Sequence, residues 1–417
     1  MRTLVGQLLM TDGVGRCETR PGRVHLDEET IGDVELFADA SAIPDPHRDT
    51  LICPGFVDAH LHLPQFDSIG AAGMPLLPWL NKVIFPAESR WNDLLFAQEM
   101  IQRVIRQCLS VGTTAICAFS TVSHDATLAA LEAFAARGFR GVIGQALMDE
   151  GAPDPLLRPT NQLIDELSFT LDRFPPEQRL ATAVTPRYIL SCSAQLLDAA
   201  SALADERAAL MQTHLAENRD ECAAVESVHG NYVEAYARHG LLSERAIFAH
   251  GIHLNESDRA KLAKSRSMIA HCPTANQFLS SGTMDRAQHL AAGIRLVIGS
   301  DIGAGYERSM VRVGRGLVQA SMQIAETGSR RLPAIATAPE AWHQITAGNA
   351  GTLGWNDVGE LRQGASADLV IARPDIPWRS ATCPLSALMW SWDDRWVAET
   401  VLRGKTVYQA GGRGEVC

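Results

Sequence analysis

The chain is 417 residues long, with 46% hydrophobic and 20% charged residues. This is more than one hydrophobic core usually serves, so we expect one large domain beside a smaller one, and the composition excludes a disordered or fibrous protein. Asp and Glu outnumber Lys and Arg by 48 to 37, and the formal net charge of -11 opposes binding to nucleic acid or anionic lipid.

The cysteines and the apolar runs narrow the class further. Nine cysteines are scattered along the chain without a CxxC pair, so neither a disulfide framework nor a thiolate zinc site is expected. No apolar run reaches the ~18 to 20 residues that a membrane-spanning helix needs. We therefore expect a protein of the reducing cytoplasm that has no membrane partner.

The first 53 residues alternate short apolar runs with turn residues, a pattern that predicts a small antiparallel sheet. This pattern ends at Pro54 and Gly55. From there a second rhythm begins, in which short β-rich runs are each followed by a longer stretch with the period of a helix. Eight such runs predict a TIM barrel within an α/β fold. They span residues 56–61, 114–119, 140–146, 180–185, 210–215, 246–249, 267–270 and 295–298.

Helix candidates lie between these runs, among them residues 94–110, 126–137, 195–207 and 219–239. After residue 358 the turn-and-strand pattern returns, and residues 401–408 are typical of a hairpin. The two ends of the chain therefore resemble each other in pattern. We expect residues 1–53 and 359–417 to pair into one small β domain beside a barrel formed by residues 54–358.

The first predicted strand closes with His60-Leu61-His62. Residues i and i+2 of a strand point to the same face, so both imidazoles can meet one metal ion. By itself an HxH triplet is a weak signal, because two polar residues often end a strand for structural reasons alone.

Three further polar residues end other predicted barrel strands. His214 ends the fifth strand, His250 the sixth, and Asp301 follows the eighth. The carboxyl ends of barrel strands form one face, which is where TIM-barrel enzymes carry their active sites. The sequence therefore predicts that four distant strands deliver these side chains to a single metal site.

Glu217 stands three residues after His214 and is a candidate general acid and base. The alternative is a solvated glutamate in a loop. Asp301 could bind the metal and also accept a proton. His271 ends the seventh strand on the same face, where it would support the site or form part of the pocket wall.

The fourth predicted strand, residues 180–185, contains no lysine, so no modified lysine is available there to bridge two metals. One ion is therefore expected. Three neutral imidazoles with one carboxylate suit Zn²⁺, and Fe²⁺ would take the same ligands.

Several longer motifs resemble the amidohydrolase superfamily across nearly the whole chain, and within it the guanine deaminase family. They are PGFVDAHLH at 54–62, HLPQ at 62–65, LLPWL at 76–80, FPAE at 85–88, TPRY at 185–188, HLAENRDE at 214–221, HCPTAN at 271–276, and GSD at 299–301 followed by the tail at 359–370. The resemblance implies a distorted TIM barrel, a small β-sandwich made from both termini, and a homodimer.

The resemblance also implies roles for individual residues. One zinc ion per chain would be held by residues of three barrel strands and His250 would hold the attacking water; the implied ligands are His60, His62, His214 and Asp301. Glu217 would pass a proton from that water to ring N3 of guanine. Gln65 and Arg187 would hydrogen-bond the purine edge, with Tyr188 stacking near its face and Trp79 walling the pocket. His214 and Asp301 would also contact the substrate.

The implied reaction is zinc-dependent hydrolysis of guanine to xanthine and ammonia, a step of purine catabolism. Two alternatives stay open. The same site could deaminate a related ring, such as 8-oxoguanine, a pterin or a triazine. The chain could also be a catalytically silent scaffold, although a scaffold has no need of the complete set of histidines and carboxylates.

Overall fold

The computed structural model describes residues 2–71, 73–327 and 335–411. Eight parallel strands form a barrel, and all eight predicted runs are strands, which confirms the barrel. Their bounds are Phe56–His62, Thr113–Phe119, Arg140–Gly144, Leu180–Thr182, Met211–Leu215, Ala246–His250, Met268–His271 and Arg295–Ile298. Two short strands, Ala146–Leu147 and Thr185–Pro186, pair with each other beyond the ends of the third and fourth strands.

The barrel consists of two four-stranded arcs that hydrogen bonds join at two seams. At the first seam, the backbone N–H of Val184 donates to Leu210 O and that of Gln212 donates to Val184 O, both at 2.9 Å. At the second seam, Asp301 N–H donates to His60 O at 2.8 Å and His62 N–H to Ile302 O at 2.9 Å. The second seam thus ties the first and eighth strands together at the residues predicted to bind the metal.

Helices surround the barrel and cross its mouth. In the described part of the chain they are Leu76–Trp79, Phe85–Ser89, Leu94–Ser110, His124–Arg137, Thr160–Arg173, Ala194–Glu206, Arg219–His229, Tyr232–Arg238, Glu256–Lys264, Pro273–Phe278, Arg286–Ala291, Met310–Thr327, Ala338–His343, Asn349–Thr352 and Pro384–Ser391. None of them is long and apolar enough to cross a bilayer.

The prediction of one continuous helix over residues 219–239 is wrong. Residues 219–239 form two helices, because Gly230 takes a φ of 74° that an ordinary helical residue would not adopt. Asn231 then caps the second helix, its side-chain oxygen accepting from the Glu234 N–H at 2.8 Å. The apolar period continues through this break, and this is why periodicity alone predicted one helix.

The two ends of the chain meet in one sheet, as expected. The expected β-sandwich domain is present as one sheet of seven hydrogen-bonded strands, in which Leu369–Ala372 is antiparallel to Leu51–Pro54. From one edge to the other, the strands are Lys405–Gln409, Val397–Leu402, Leu369–Ala372, Leu51–Pro54, Arg2–Thr11, Cys17–Asp27 and Thr30–Leu36. The sheet strands stop at Pro54 and resume at Leu369, which agrees with the division at 1–53, 54–358 and 359–417; that division stays a prediction.

Candidate functional site

The predicted site residues meet at the carboxyl ends of the barrel strands. His60 and His62 end the first strand, His214 is the second-last residue of the fifth, His250 ends the sixth, and Asp301 follows the eighth. All of them are buried except His214, which is partly exposed. The parallel topology therefore brings together side chains up to 241 positions apart in sequence, from residue 60 to residue 301.

The ring nitrogens of these histidines converge on the carboxylate of Asp301. The distance from His60 Nε2 to Asp301 Oδ1 is 3.3 Å and that from His62 Nε2 is 3.4 Å. His250 Nε2 lies 3.9 Å from Asp301 Oδ2, and His214 Nε2 lies 3.1 Å from His62 Nε2. Four donor atoms, from His60, His214, His250 and Asp301, all lie within 4.8 Å of one another.

Hydrogen bonds on the far side of two rings orient them toward the cluster. His214 Nδ1 donates to the carbonyl oxygen of Arg187 at 2.7 Å, and His250 Nδ1 donates to Asn276 Oδ1 at 2.9 Å. Each ring therefore turns Nε2 toward the cluster as an acceptor. Among the described residues, His60 Nε2 and His250 Nε2 are buried without a hydrogen-bond partner.

This donor set fits a divalent metal ion. Burial lowers the pKa of His60, His62 and His214 well below its ordinary value, and the neighbouring histidines add to the effect. The rings are thus neutral, which is the form that ligates a metal. Of the four residues whose atoms lie within 4.8 Å of one another, His60, His214 and Asp301 were predicted to be metal ligands, and His250 was predicted to hold the attacking water. His62, the remaining predicted ligand, also lies at the cluster, 3.4 Å from Asp301.

Glu217 lies beside the cluster and is not a solvated loop residue. It is 4% exposed, and its Oε2 lies 3.4 Å from His250 Nε2. Burial raises the pKa of Glu217 well above its ordinary range, and the nearby carboxylates of Asp301 and Glu221 raise it further. A carboxyl group that holds its proton more tightly than usual is suited to carry one between two reacting atoms.

Glu221 holds the backbone that carries Glu217. Its Oε2 accepts from the N–H of Glu217 at 2.9 Å and of Asn218 at 3.2 Å, which completes a capping box at the helix Arg219–His229. Its Oε1 accepts from the hydroxyl of Tyr232 at 2.6 Å. Glu221 therefore supports the site, a role that was not predicted from its sequence motif.

Asp58 is a second supporting carboxylate that was missed. Buried below the cluster, it accepts from Ser300 N–H at 2.9 Å, Ser300 Oγ at 2.5 Å and His60 N–H at 3.3 Å. Burial raises the pKa of Asp58 to about 7. It stands two residues before His60, on the same face of the strand, so extending the period-2 pattern of the HxH triplet would have found it.

The backbone at the site adopts left-handed conformations that side chains usually avoid. Ala216, His250 and Asp301 have φ values of 48°, 72° and 50°. Such conformations cost about 1 to 3 kcal/mol each and persist where the surrounding structure enforces them, often at active sites. Here they turn the chain at the strand ends so that side chains from three strands reach one point.

A cavity opens from the cluster at the mouth of the barrel. All four predicted base-binding residues, Gln65, Trp79, Arg187 and Tyr188, line it. The indole Nε1 of Trp79 is buried there without a hydrogen-bond partner among the described residues. His271 is buried but is not among the residues that line the cavity, so it does not form its wall.

Glu88 was also missed, and it joins two of the residues predicted to bind the base. It is 1% exposed and accepts from Gln65 Nε2 at 2.9 Å and from Arg187 Nη1 at 2.5 Å. The Arg187 guanidinium also lies 5.4 Å from the ring centre of Phe85, one turn earlier on the same helix. The sequence held a signal for this position, since the FPAE motif contains both residues.

Comparison with known proteins agrees with this geometry. The model of the amidohydrolase family matches residues 51–407. The guanine deaminase of Escherichia coli (strain K12) is 34% identical over 401 residues, 91% of this chain and 90% of that protein. The guanine deaminase of Dictyostelium discoideum is 34% identical over 332 residues, 78% of this chain and 73% of that protein.

A solved structure shows the same fold at higher sequence divergence. Guanine deaminase from C. acetobutylicum with bound guanine in the active site matches with a TM-score of 0.89 at 26% identity, covering 98% of this chain and 100% of that one. The chain therefore belongs to the amidohydrolase family, as its motifs indicated.

Proposed function

We propose that this protein hydrolyses guanine to xanthine and ammonia. The observation that carries the proposal is the buried cluster of histidines and Asp301, with Glu217 beside it, at the floor of a cavity whose wall holds Gln65 and Arg187. Support also comes from the curated relatives, which are guanine deaminases at 30–34% identity over most of the chain.

One zinc ion per chain is the cofactor we propose, held by His60, His62, His214 and Asp301. Neutral imidazoles and a carboxylate are ligands that Zn²⁺ prefers, and Fe²⁺ would accept the same set. When bound, such an ion would supply a Lewis acid and an activated water at neutral pH.

In the proposed reaction, Glu217 accepts one proton of the attacking water and delivers it to ring N3 as the water oxygen bonds to C2. The second proton of the water passes to the exocyclic amine, and the C2–N bond breaks to release ammonia. Asp301 and His250 lie close enough to hold the attacking oxygen, since His250 Nε2 is 3.9 Å from Asp301 Oδ2. Of the two protons of the water, one is therefore on N3 of xanthine and the other is in ammonia.

Gln65 and Arg187 position the purine by hydrogen bonds to its edge, while Tyr188 and Trp79 enclose its faces. Tyr188 and Trp79 line the cavity with Gln65 and Arg187, and Trp79 is 2% exposed. Aromatic rings around a flat base add packing energy and exclude water, and both effects favour a fixed orientation of C2 over the cluster.

We further propose a homodimer that works in the cytoplasm as part of purine catabolism. The family resemblance implies the dimer. The eight cysteines of the described residues are unpaired, seven of them buried or partly buried, in keeping with a reducing compartment. Light scattering on the purified protein tests the dimer, and a mass of one chain would contradict it.

The reaction is tested by ammonia release from purified protein incubated with guanine, adenine, cytosine and 8-oxoguanine, with metal content measured on the same sample. We expect turnover of guanine and about one zinc per chain, as a site with three or four protein ligands predicts. A bound metal without turnover of guanine would refute the proposed substrate and direct the search to other ring amines.

A further inference from the structure

We propose that Glu88 is a positioning residue that determines which purine the cavity accepts. By binding Gln65 and Arg187 at once, it forces the wall they form to offer only hydrogen-bond donors to the base. The inference rests on the proposed function, because it concerns how the guanine ring is distinguished from other rings with an amine at C2.

Three buried side chains form the network. Gln65, Glu88 and Arg187 are 2%, 1% and 3% exposed. The two oxygens of Glu88 take one donor each, Gln65 Nε2 at 2.9 Å and Arg187 Nη1 at 2.5 Å. An ionised carboxylate has acceptors only, so both partners must turn donor groups toward it.

This arrangement fixes the orientation of the Gln65 amide. With Nε2 turned to Glu88, the other end of the amide, Oε1, lies 3.4 Å from the N–H of Gly303, which donates to it. A reversed amide would set its oxygen against the carboxylate of Glu88 and lose both contacts. The group that Gln65 has left for a ligand is therefore the second N–H of Nε2.

Arg187 is fixed in the same way. Its Nη1 is tied to Glu88, and its guanidinium lies over the ring of Phe85. Glu88 and Phe85 belong to one short helix, Phe85–Ser89, so a single element sets both contacts. A guanidinium has no acceptor, so its remaining N–H groups can only donate.

A wall of donors selects an edge with two acceptors. When C2 of the purine lies at the metal cluster and N3 faces Glu217, the opposite side of the ring carries N1–H, O6 and N7, and the donors of Gln65 and Arg187 pair with O6 and N7. In guanine both of these atoms are acceptors, whereas an amine at C6 is a donor. A ring with an amine at C6 would meet donor against donor, with both sides buried and unpaired.

The test compares guanine with 2,6-diaminopurine, which has an amine in place of O6, lacks the hydrogen on N1 and keeps the amine at C2. Steady-state kcat and KM are measured on the intact enzyme for both compounds. Sites that hydrogen-bond a substrate group reject analogues without it by roughly 10⁴-fold or more, so we expect a ratio of kcat/KM of that order in the wild type.

Glu88→Gln places a donor and an acceptor where two acceptors stood, so the Gln65 amide can reverse and present its oxygen. We expect kcat/KM for guanine to fall about tenfold to a hundredfold, as for loss of a charged hydrogen bond, while the value for 2,6-diaminopurine stays or rises. The ratio then narrows at least about tenfold. Glu99→Gln, at an exposed glutamate paired with Arg103, is the matched control and should leave both constants unchanged.

If Glu88 had a purely structural role, Glu88→Gln would lower kcat/KM equally for both substrates. An unchanged ratio of the two kcat/KM values in this variant therefore overturns the inference. Loss of the buried charge could also prevent folding, and Glu88→Asp covers that outcome. The aspartate keeps the charge but is one methylene shorter and cannot reach both partners, so we expect the ratio to fall about threefold or more; an unchanged ratio again overturns the inference. Absence of guanine turnover in the wild type refutes the proposed function, and the inference with it, whereas guanine turnover with an unchanged ratio refutes the inference alone.

Discussion

The two ends of the barrel are built from the same strands but differ in how their ionisable side chains are paired. At the carboxyl end, histidines and carboxylates are buried against one another, and His60 Nε2 and His250 Nε2 have no partner among the described residues. At the amino end, arginines surround a second cavity, and each of them has an anionic or carbonyl partner. They are Arg140, Arg245, Arg266 and Arg295.

Arg295 illustrates the amino end. Its guanidinium donates to the carbonyl oxygens of Glu244 at 2.9 Å, Arg266 at 3.2 Å and Thr352. Arg140 lies 5.0 Å from the ring of Trp355 and pairs with Asp357 at 3.2 Å. These contacts connect loops at the bottom of the barrel.

The difference separates function from stability. The unpartnered buried ring nitrogens of His60 and His250 cost free energy, so their place in one cluster points to a ligand that offsets the cost. The paired arginines at the other end stabilise the fold without chemistry, as expected for the amino end of a TIM barrel. Changes at the two ends should therefore move different quantities, activity at the first and the free energy of unfolding at the second.

Metal removal should have the largest effect. Exhaustive dialysis against a chelator should abolish deamination and lower Tm by several degrees, because an ion bound only to the folded state stabilises it by about 2.7 kcal/mol at a hundredfold excess over Kd. Activity and Tm should both recover with one equivalent of Zn²⁺. Dialysis against buffer alone is the control, and full turnover by protein shown to be metal-free would contradict the assignment of the cluster.

Glu217→Gln should come next. The substitution keeps the shape of the side chain but removes its ability to carry a proton, so kcat should fall by roughly 10²- to 10⁴-fold. Metal content should not change. Glu226→Gln, exposed on the neighbouring helix, should behave as the wild type. A Glu217→Gln enzyme that retains its metal and near-native kcat would remove Glu217 from the reaction.

Arg187→Ala should have a smaller effect on guanine turnover. It deletes a charged hydrogen bond to the base, so kcat/KM should fall about tenfold to a hundredfold, chiefly through KM. It also leaves the buried carboxylate of Glu88 without its cationic partner, so Tm should fall as well. Arg106→Ala, at an exposed arginine, serves as the control, and an unchanged kcat/KM in Arg187→Ala would show that the guanidinium does not contact the base.

Arg295→Ala, at the amino end, should change activity least. Loss of its bonds to backbone carbonyls should lower the free energy of unfolding by about 1 to 3 kcal/mol, measured by denaturant titration. Because the site lies at the opposite end of the strands, kcat/KM for guanine should stay within about twofold of the wild type. A large loss of kcat/KM with unchanged stability would contradict the division between the two ends.

Much of the fold could be predicted because it depends on local pattern. Eight β-rich runs with intervening helical periods required a barrel, and the boundaries of the helix Leu94–Ser110 follow from its period alone. Local pattern failed at residues 219–239, where Gly230 interrupts a continuous apolar period. The glycine was a signal for a helix end, but the apolar period on both sides of it favoured a single helix.

The candidate site divides in the same manner. The convergence of His60, His62, His214, His250 and Asp301 was predictable, since parallel topology places all carboxyl ends of the strands on one face. The partners that hold these residues were not. Asp58 meets Ser300 and Glu88 meets Arg187 across 242 and 99 positions of sequence, and no local period reports such contacts.

The sequence by itself determined the order of the elements, the pairing of both termini in one small sheet, and the face on which the histidines and Asp301 meet. It could do so because the periods of strands and helices depend on residues close together in sequence, and because consecutive strand and helix units connect in a regular order around a barrel. Only the tertiary structure decided which carboxylates are buried, which ring nitrogens lack a partner, and that Glu88 controls the donors of the cavity wall. Those properties depend on which side chains pack across the mouth of the barrel, because burial and pairing are set by all the surrounding elements together.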